Sequence, residues 1–120
     1  MESLIMVAEK CERLCGTVPY AKRNPDSKTI PMHCYDLLTE FPYQFTHKEL
    51  MHHVHVVIRN KPENKLNTYD VRRNELCKNW GWGIHVNMQG KLGIFGCETN
   101  EYKKMVNDNS VRKIKSLNPN

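Results

Sequence analysis

Apolar residues fall along the chain in short runs and at two different spacings. "SLIMVA" (Ser3 to Ala8) is a short apolar run and predicts a buried strand. Gly16, Pro19, Pro25 and Asp26 then interrupt any period and predict an extended loop. Pro31 suits the first turn of a helix, with Thr29 or Ile30 before it. Cys34, Leu37, Leu38 and Phe41 follow at helical spacing until Pro42 stops them. "THKE" (Thr46 to Glu49) fits a capping box, in which a threonine hydroxyl and a glutamate satisfy each other's backbone amides. What the box starts is ambiguous. Leu50, Val54, Val57 and Ile58 recur as on a helix, whereas Val54, Val56 and Ile58 alternate and are β-branched. We read one helical turn followed by a strand from about His52 to Arg59.

Further on, "NKPENKLN" reads as a polar loop. "TYDVRRNELCKN" reads as a helix capped by Asn67 or Thr68, with Val71, Leu76 and Cys77 facing inward. "TNEYKKMVNDN" predicts a helix capped by Thr99, with Tyr102, Met105 and Val106 on its buried face. "SVRKIKSL" predicts a final strand. The sum is a small single α+β domain spanning residues 1–120, with a mostly antiparallel sheet packed with about three helices.

The stretch "NWGWGIHVNMQGKLGIFGC" (Asn79 to Cys97) holds both tryptophans and five of the six glycines. It predicts a hairpin that turns at Gly90. A two-residue loop would pair Ile84 with Phe95, and a three-residue loop would pair Ile84 with Ile94. A slip of one residue flips a strand's faces, so the apolar pattern can choose. The three-residue loop gathers Trp82, Ile84, Val86, Leu92 and Ile94 on one face, and is adopted for that reason. The other face then carries Gly83, His85, Phe95 and Cys97. Glycine in a strand marks a close approach to the backbone. That makes Gly83, His85, Phe95 and Cys97, with Tyr102 nearby, the candidate ligand-binding residues, and His85 the candidate catalytic one. The bland alternative is that a helix packs on the glycines and His85 is a satisfied core histidine.

The chain has 120 residues, 39% hydrophobic and 26% charged. That is enough for one domain with its own core, and it excludes a disordered chain. No apolar run approaches a membrane span. The start is too polar and too short for a secretory signal, so a cytoplasmic location is expected. Cys11, Cys15, Cys34, Cys77 and Cys97 are odd in number and lack a C-x-x-C pair, which points to reduced thiols. The net charge of +5 is scattered, and it admits nucleic acid without requiring it. His53 and His55 would share one face of a strand and are weak metal candidates, since a stable zinc site needs a third or fourth ligand. No metal and no cofactor are expected. The partner expected is a small molecule or a protein, and a homodimer is compatible.

"VAEKC", "PYQFTHKEL", "GWGIH", "GKLGIFGCETNEYKKM" and "SVRKIKSL" together resemble a family of small bacterial proteins, domain of unknown function 6157. The likeness covers most of the chain. Gly16 to Ile30 and Lys61 to Leu66 diverge, and Glu12 stands where the family commonly has proline. The resemblance implies one α+β cytoplasmic domain and supplies no activity or catalytic residue.

Three functions therefore compete. The first is a small ligand-binding or protein-interaction module using the Gly83/His85/Phe95 face. The second is an enzyme with His85 as general acid–base, helped by Cys97, Glu101 or Tyr102. The third is a basic nucleic-acid binder with Trp80, Trp82 or Phe95 as stacking surfaces. No P-loop, G-x-S-x-G, H-E-x-x-H or Rossmann fingerprint occurs.

Overall fold

A computed structural model of the chain describes residues 1–21, 27–58 and 71–118. Among the described residues four strands form one sheet in the order β3-β2-β1-β4. They are β1 (Ser3–Met6), β2 (Trp82–Val86), β3 (Leu92–Gly96) and β4 (Arg112–Lys115). β1 is antiparallel to β2 and parallel to β4, and β2 is antiparallel to β3. β1 therefore lies between two neighbours. Leu4 and Ile5 point to opposite faces of the sheet and both are fully buried. Burial of each contributes about 1.5–3 kcal/mol.

The helices are α1 (Ile30–Glu40), α2 (His47–His52), α3 (Glu75–Asn79) and α4 (Asn100–Asn107). The core lies on the face carrying Ile5, Ile84 and Leu92. There Cys34 and Leu38 of α1, Leu50 and Met51 of α2, and Leu76 and Cys77 of α3 are buried together. α1 begins as expected, with Thr29 as its cap and Pro31 in its first turn. α3 is capped by Asn74, whose side chain accepts from the Leu76 amide at 2.9 Å. A 3-10 turn, Val71–Arg73, precedes it. The expected caps Asn67 and Thr68 and the loop before them lie outside the described residues.

One expected element is corrected. Residues His52 to Ile58 form no strand, and Arg59 lies outside the described residues. α2 continues directly into a π-helical segment, His53–Ile58. The Thr46 capping box is formed, with Glu49 N–H to Thr46 Oγ1 at 3.2 Å and Thr46 N–H to Glu49 Oε1 at 2.9 Å. It starts a helix whose Leu50, Met51 and Val54 are all buried in the core. Burial of three side chains outweighs the few tenths of a kcal/mol by which each β-branched residue disfavours a helix. His53 and His55 consequently do not share a strand face. His55 is buried, and His53 rests against the Phe45 ring at 5.7 Å between centroids.

The hairpin has the three-residue register in full. Trp82 opposes Gly96, Ile84 opposes Ile94, and Val86 opposes Leu92. Asn87 and Lys91 close the loop, and Gly90 sits at φ +78°, a conformation glycine adopts without penalty. Among the described residues no helix is long and apolar enough to cross a membrane.

All five cysteines are free thiols. Burial pushes the Cys34 thiol up to about 12, against the pull of a hydrogen bond from Asn74, and burial raises Cys77 as well. The thiolate is the reactive form. Alkylation of the native protein, mapped by peptide mass, should label exposed Cys15 readily. Cys34 and Cys77 should label only after unfolding.

Candidate functional site

The face of the sheet turned away from the core answers what the hairpin glycines are for. His85 and Gly93 stand opposite each other there, as do Gly83 and Phe95. Leu4 of β1 lies beside His85. A tyrosine ring covers each glycine. A Cβ at Gly83 would come within 2.3 Å of the Tyr102 ring, and one at Gly93 within 2.5 Å of the Tyr43 ring. The close approach inferred from the glycines is real, and the chain's own side chains make it.

Local chemistry seats Tyr102. Thr99 donates its hydroxyl to the Gly96 carbonyl at 2.8 Å and accepts the Tyr102 amide at 3.2 Å. The cap of α4 is thereby tied to the end of β3, and the ring falls over Gly83. The Tyr102 hydroxyl accepts the Val7 amide at 3.0 Å. Tyr43 is seated by the edge of β3. Its amide donates to the Leu92 carbonyl at 2.9 Å, and the Leu92 amide donates to the Phe45 carbonyl at 2.8 Å. Tyr43 is also the one non-glycine among the described residues at positive φ, +58°. Holding a side chain there costs about 1–3 kcal/mol, and such strain gathers at functional sites.

His85 links these parts. Its Nε2 lies 2.9 Å from Glu2 Oε1, and its Nδ1 lies 2.7 Å from the Tyr43 hydroxyl. The Tyr43 and His85 rings meet edge to face at 5.6 Å. The side chain of His85 is only 12% exposed, against 39% for Glu2. A carboxylate only accepts, so Nε2 carries a proton. In the neutral ring Nδ1 accepts the Tyr43 hydroxyl proton. In the imidazolium Nδ1 donates to the phenol oxygen, which frees that hydroxyl proton to point elsewhere. Burial raises the Tyr43 phenol above its ordinary range and the Glu2 charge adds to this, so Tyr43 stays protonated at neutral pH.

Of the residues singled out from the sequence, Gly83, His85, Phe95 and Tyr102 share this face. Phe95 lies 6.5 Å from His85 between ring centroids. Cys97 stands past the end of β3, its amide bonded to the Gly81 carbonyl at 3.0 Å. Its thiol is raised by burial first and by Glu98 next. Glu101 is exposed on α4. The residues that bond His85 are instead Glu2 and Tyr43, neither of which the sequence singled out. Glu2 alternates with Leu4 and so continues the second face of β1. Tyr43 offers no such signal. Among the described residues no group of three His, Cys, Asp or Glu side chains could hold a metal ion.

Two outcomes test this packing. Gly93→Ala should destabilise the fold by about 1–3 kcal/mol in urea unfolding, as overpacking does. Adding Tyr43→Ala should cost less than the sum of the two single changes. Burial also raises Tyr102, against the pull of the Val7 amide. Both phenols hold their protons more tightly when folded than unfolded. Their stabilising contribution is complete below about pH 10 and is lost as pH rises through their folded values. A titration at 295 nm should show two tyrosines ionising above the usual range, and the urea midpoint should fall over the same pH interval.

No curated protein and no solved structure matches the chain. The model of one family, described as a family of unknown function (DUF6157), matches residues 1–120, the whole of it. The chain belongs to that family.

Proposed function

We propose that the protein is a small acid–base catalyst whose working group is the Tyr43 hydroxyl, supplied with a proton through His85 and Glu2. The observation that carries this reading is the unbroken chain from Glu2 through His85 to Tyr43, with links of 2.9 and 2.7 Å. With His85 charged and paired to Glu2, Tyr43 gives its hydroxyl proton to a substrate oxygen. His85 then replaces that proton from Nδ1 and becomes neutral, keeping Nε2–H on Glu2. The proton count balances, and the carboxylate stabilises the imidazolium throughout. Burial keeps the Tyr43 phenol protonated but makes it a weaker acid, so its proton transfer depends on concerted replacement from His85. The strained backbone at Tyr43 supports the same reading.

A binding module on the Gly83/His85/Phe95 face is the second reading. The half-buried Phe95 ring beside His85 favours it. The tyrosine rings over Gly83 and Gly93 occupy the space such a ligand would use, so the catalytic reading is preferred. A cytoplasmic location is part of the proposal, and five free thiols support it.

The experiment is a panel of p-nitrophenyl esters and enolisable ketones, the latter followed by deuterium exchange. Tyr43→Phe removes only the hydroxyl and should lower any turnover by about 10²–10⁴-fold, the usual worth of general acid catalysis. Glu2→Gln should lower it less and shift the pH profile. A Tyr43→Phe protein that keeps the full rate would remove Tyr43 from the mechanism, and an inert panel would favour the binding reading.

A further inference from the structure

The segment from Phe41 to Thr46 forms a strap along the start of β3 and carries the Tyr43 ring to its place over Gly93. Two backbone hydrogen bonds tie it to Leu92. Tyr43 N–H donates to the Leu92 carbonyl at 2.9 Å, and Leu92 N–H donates to the Phe45 carbonyl at 2.8 Å. Tyr43 stands at φ +58°, and a side chain persists there only where its surroundings hold it. The carbonyl of the next residue, Gln44, is a point at which the strap is gripped from outside.

The grip comes from Lys91. Its Nζ donates to the Gln44 carbonyl at 3.3 Å and to Glu49 Oε1 at 3.1 Å. Its backbone is anchored in the hairpin loop by Asn87. The Asn87 Oδ1 accepts the Lys91 amide at 2.9 Å, and the Asn87 amide donates to the Lys91 carbonyl at 3.0 Å. Thr46 pairs with Lys91 as an antiparallel bridge. Glu49 belongs to the capping box of α2, and its Oε1 also accepts the Thr46 amide at 2.9 Å. One lysine thus joins the hairpin loop, the strap and the first turn of α2. The Thr46 amide first and the Lys91 ammonium next hold the Glu49 carboxyl below its usual range, so the pair is charged at neutral pH. Lys91 bonds the strap's backbone, whereas the Tyr43 hydroxyl bonds His85.

We infer that Lys91, held by Glu49, is a positioning residue that clamps the strap at Gln44 and so keeps the Tyr43 hydroxyl within hydrogen-bond reach of His85. This rests on the catalytic reading of Tyr43 and names the group that holds that residue in place. The Lys91 side chain is 32% exposed and that of Glu49 54%, so the clamp has the strength of a surface pair and weakens with salt. A clamp of that strength lets the strap open locally while the domain stays folded. In the open strap Tyr43 leaves positive φ, and His85 Nδ1 loses its partner.

The test needs no substrate. Amide hydrogen exchange of the intact chain reads strap opening at Tyr43 and Leu92, whose N–H groups make the two strap bonds. Lys91→Met keeps the aliphatic stem and removes the ammonium. It should speed exchange at both amides by about two- to fivefold, the size of one exposed ion pair. The Lys103 amide on α4 should not change, since fraying of that helix leaves the clamp closed. Glu49→Gln keeps a capping-box partner and removes the charge, so it should act in the same direction. The double variant should exchange no faster than Lys91→Met alone, because both remove one contact. Lys91→Arg should restore the wild-type rates. The His85 Nδ1 nitrogen shift should move in Lys91→Met toward its value in Tyr43→Phe, a signature that a general loss of stability does not produce. Wild-type exchange in Lys91→Met, or an unmoved His85 nitrogen, would overturn the inference even if Tyr43→Phe abolished turnover. An inert panel of esters and ketones, with the exchange and nitrogen shifts as stated, would sink the catalytic reading and leave the clamp standing.

Discussion

Pairing Val86 with Leu92 across a three-residue loop commits every residue of both hairpin strands to one face of the sheet. Trp82, Ile84 and Ile94 go to the core side. Gly83, His85, Gly93 and Phe95 go to the other. A slip of one residue between the strands would turn the glycines of one strand away from the tyrosines that need them. The two glycines are not simply permissive. Each leaves a gap one methyl deep, and an aromatic ring fills it at a distance no Cβ would tolerate. The register therefore decides where Tyr43 and Tyr102 can lie, and so what surrounds His85.

The two tyrosines reach the sheet by different routes, and this divides the face. Tyr102 arrives on a capped helix with ordinary backbone geometry, and its ring lies over Gly83. Tyr43 arrives on a segment zipped to the edge of β3, and its backbone is held at positive φ. Removing that strain would release the segment's two hydrogen bonds to Leu92 from their present geometry. The edge of β3 is thus covered and the Glu2–His85–Tyr43 hydrogen-bond chain completed by the same few residues.

The segment after Thr46 shows how local and tertiary preferences compete. Alternating β-branched valines argue for a strand, and the capping box argues for a helix. The core settles it, because only a helix buries Leu50, Met51 and Val54 together. The sequence carried both signals and no means of weighing them, since the weight is the area buried against α1 and the sheet. The same outcome disperses His53 and His55, whose chelating geometry existed only on a strand.

What the sequence determined by itself is local. The capping boxes and caps at Thr29, Thr46 and Thr99, the proline boundaries of α1, the Gly90 turn and the hairpin register rest on residues within a few positions of one another. Their physics is complete within one turn or one hairpin. The partners of His85 are of another kind. Tyr43 lies 42 residues away, and Glu2 lies at the far end of the chain beside β1. No spacing rule reaches them. Only the placement of β1 beside β2, and of the segment around Tyr43 along β3, brings a carboxylate, an imidazole and a phenol into one line. Tertiary packing decided the chemistry of that face, because a hydrogen-bond chain between distant segments exists only once the core has fixed their separation.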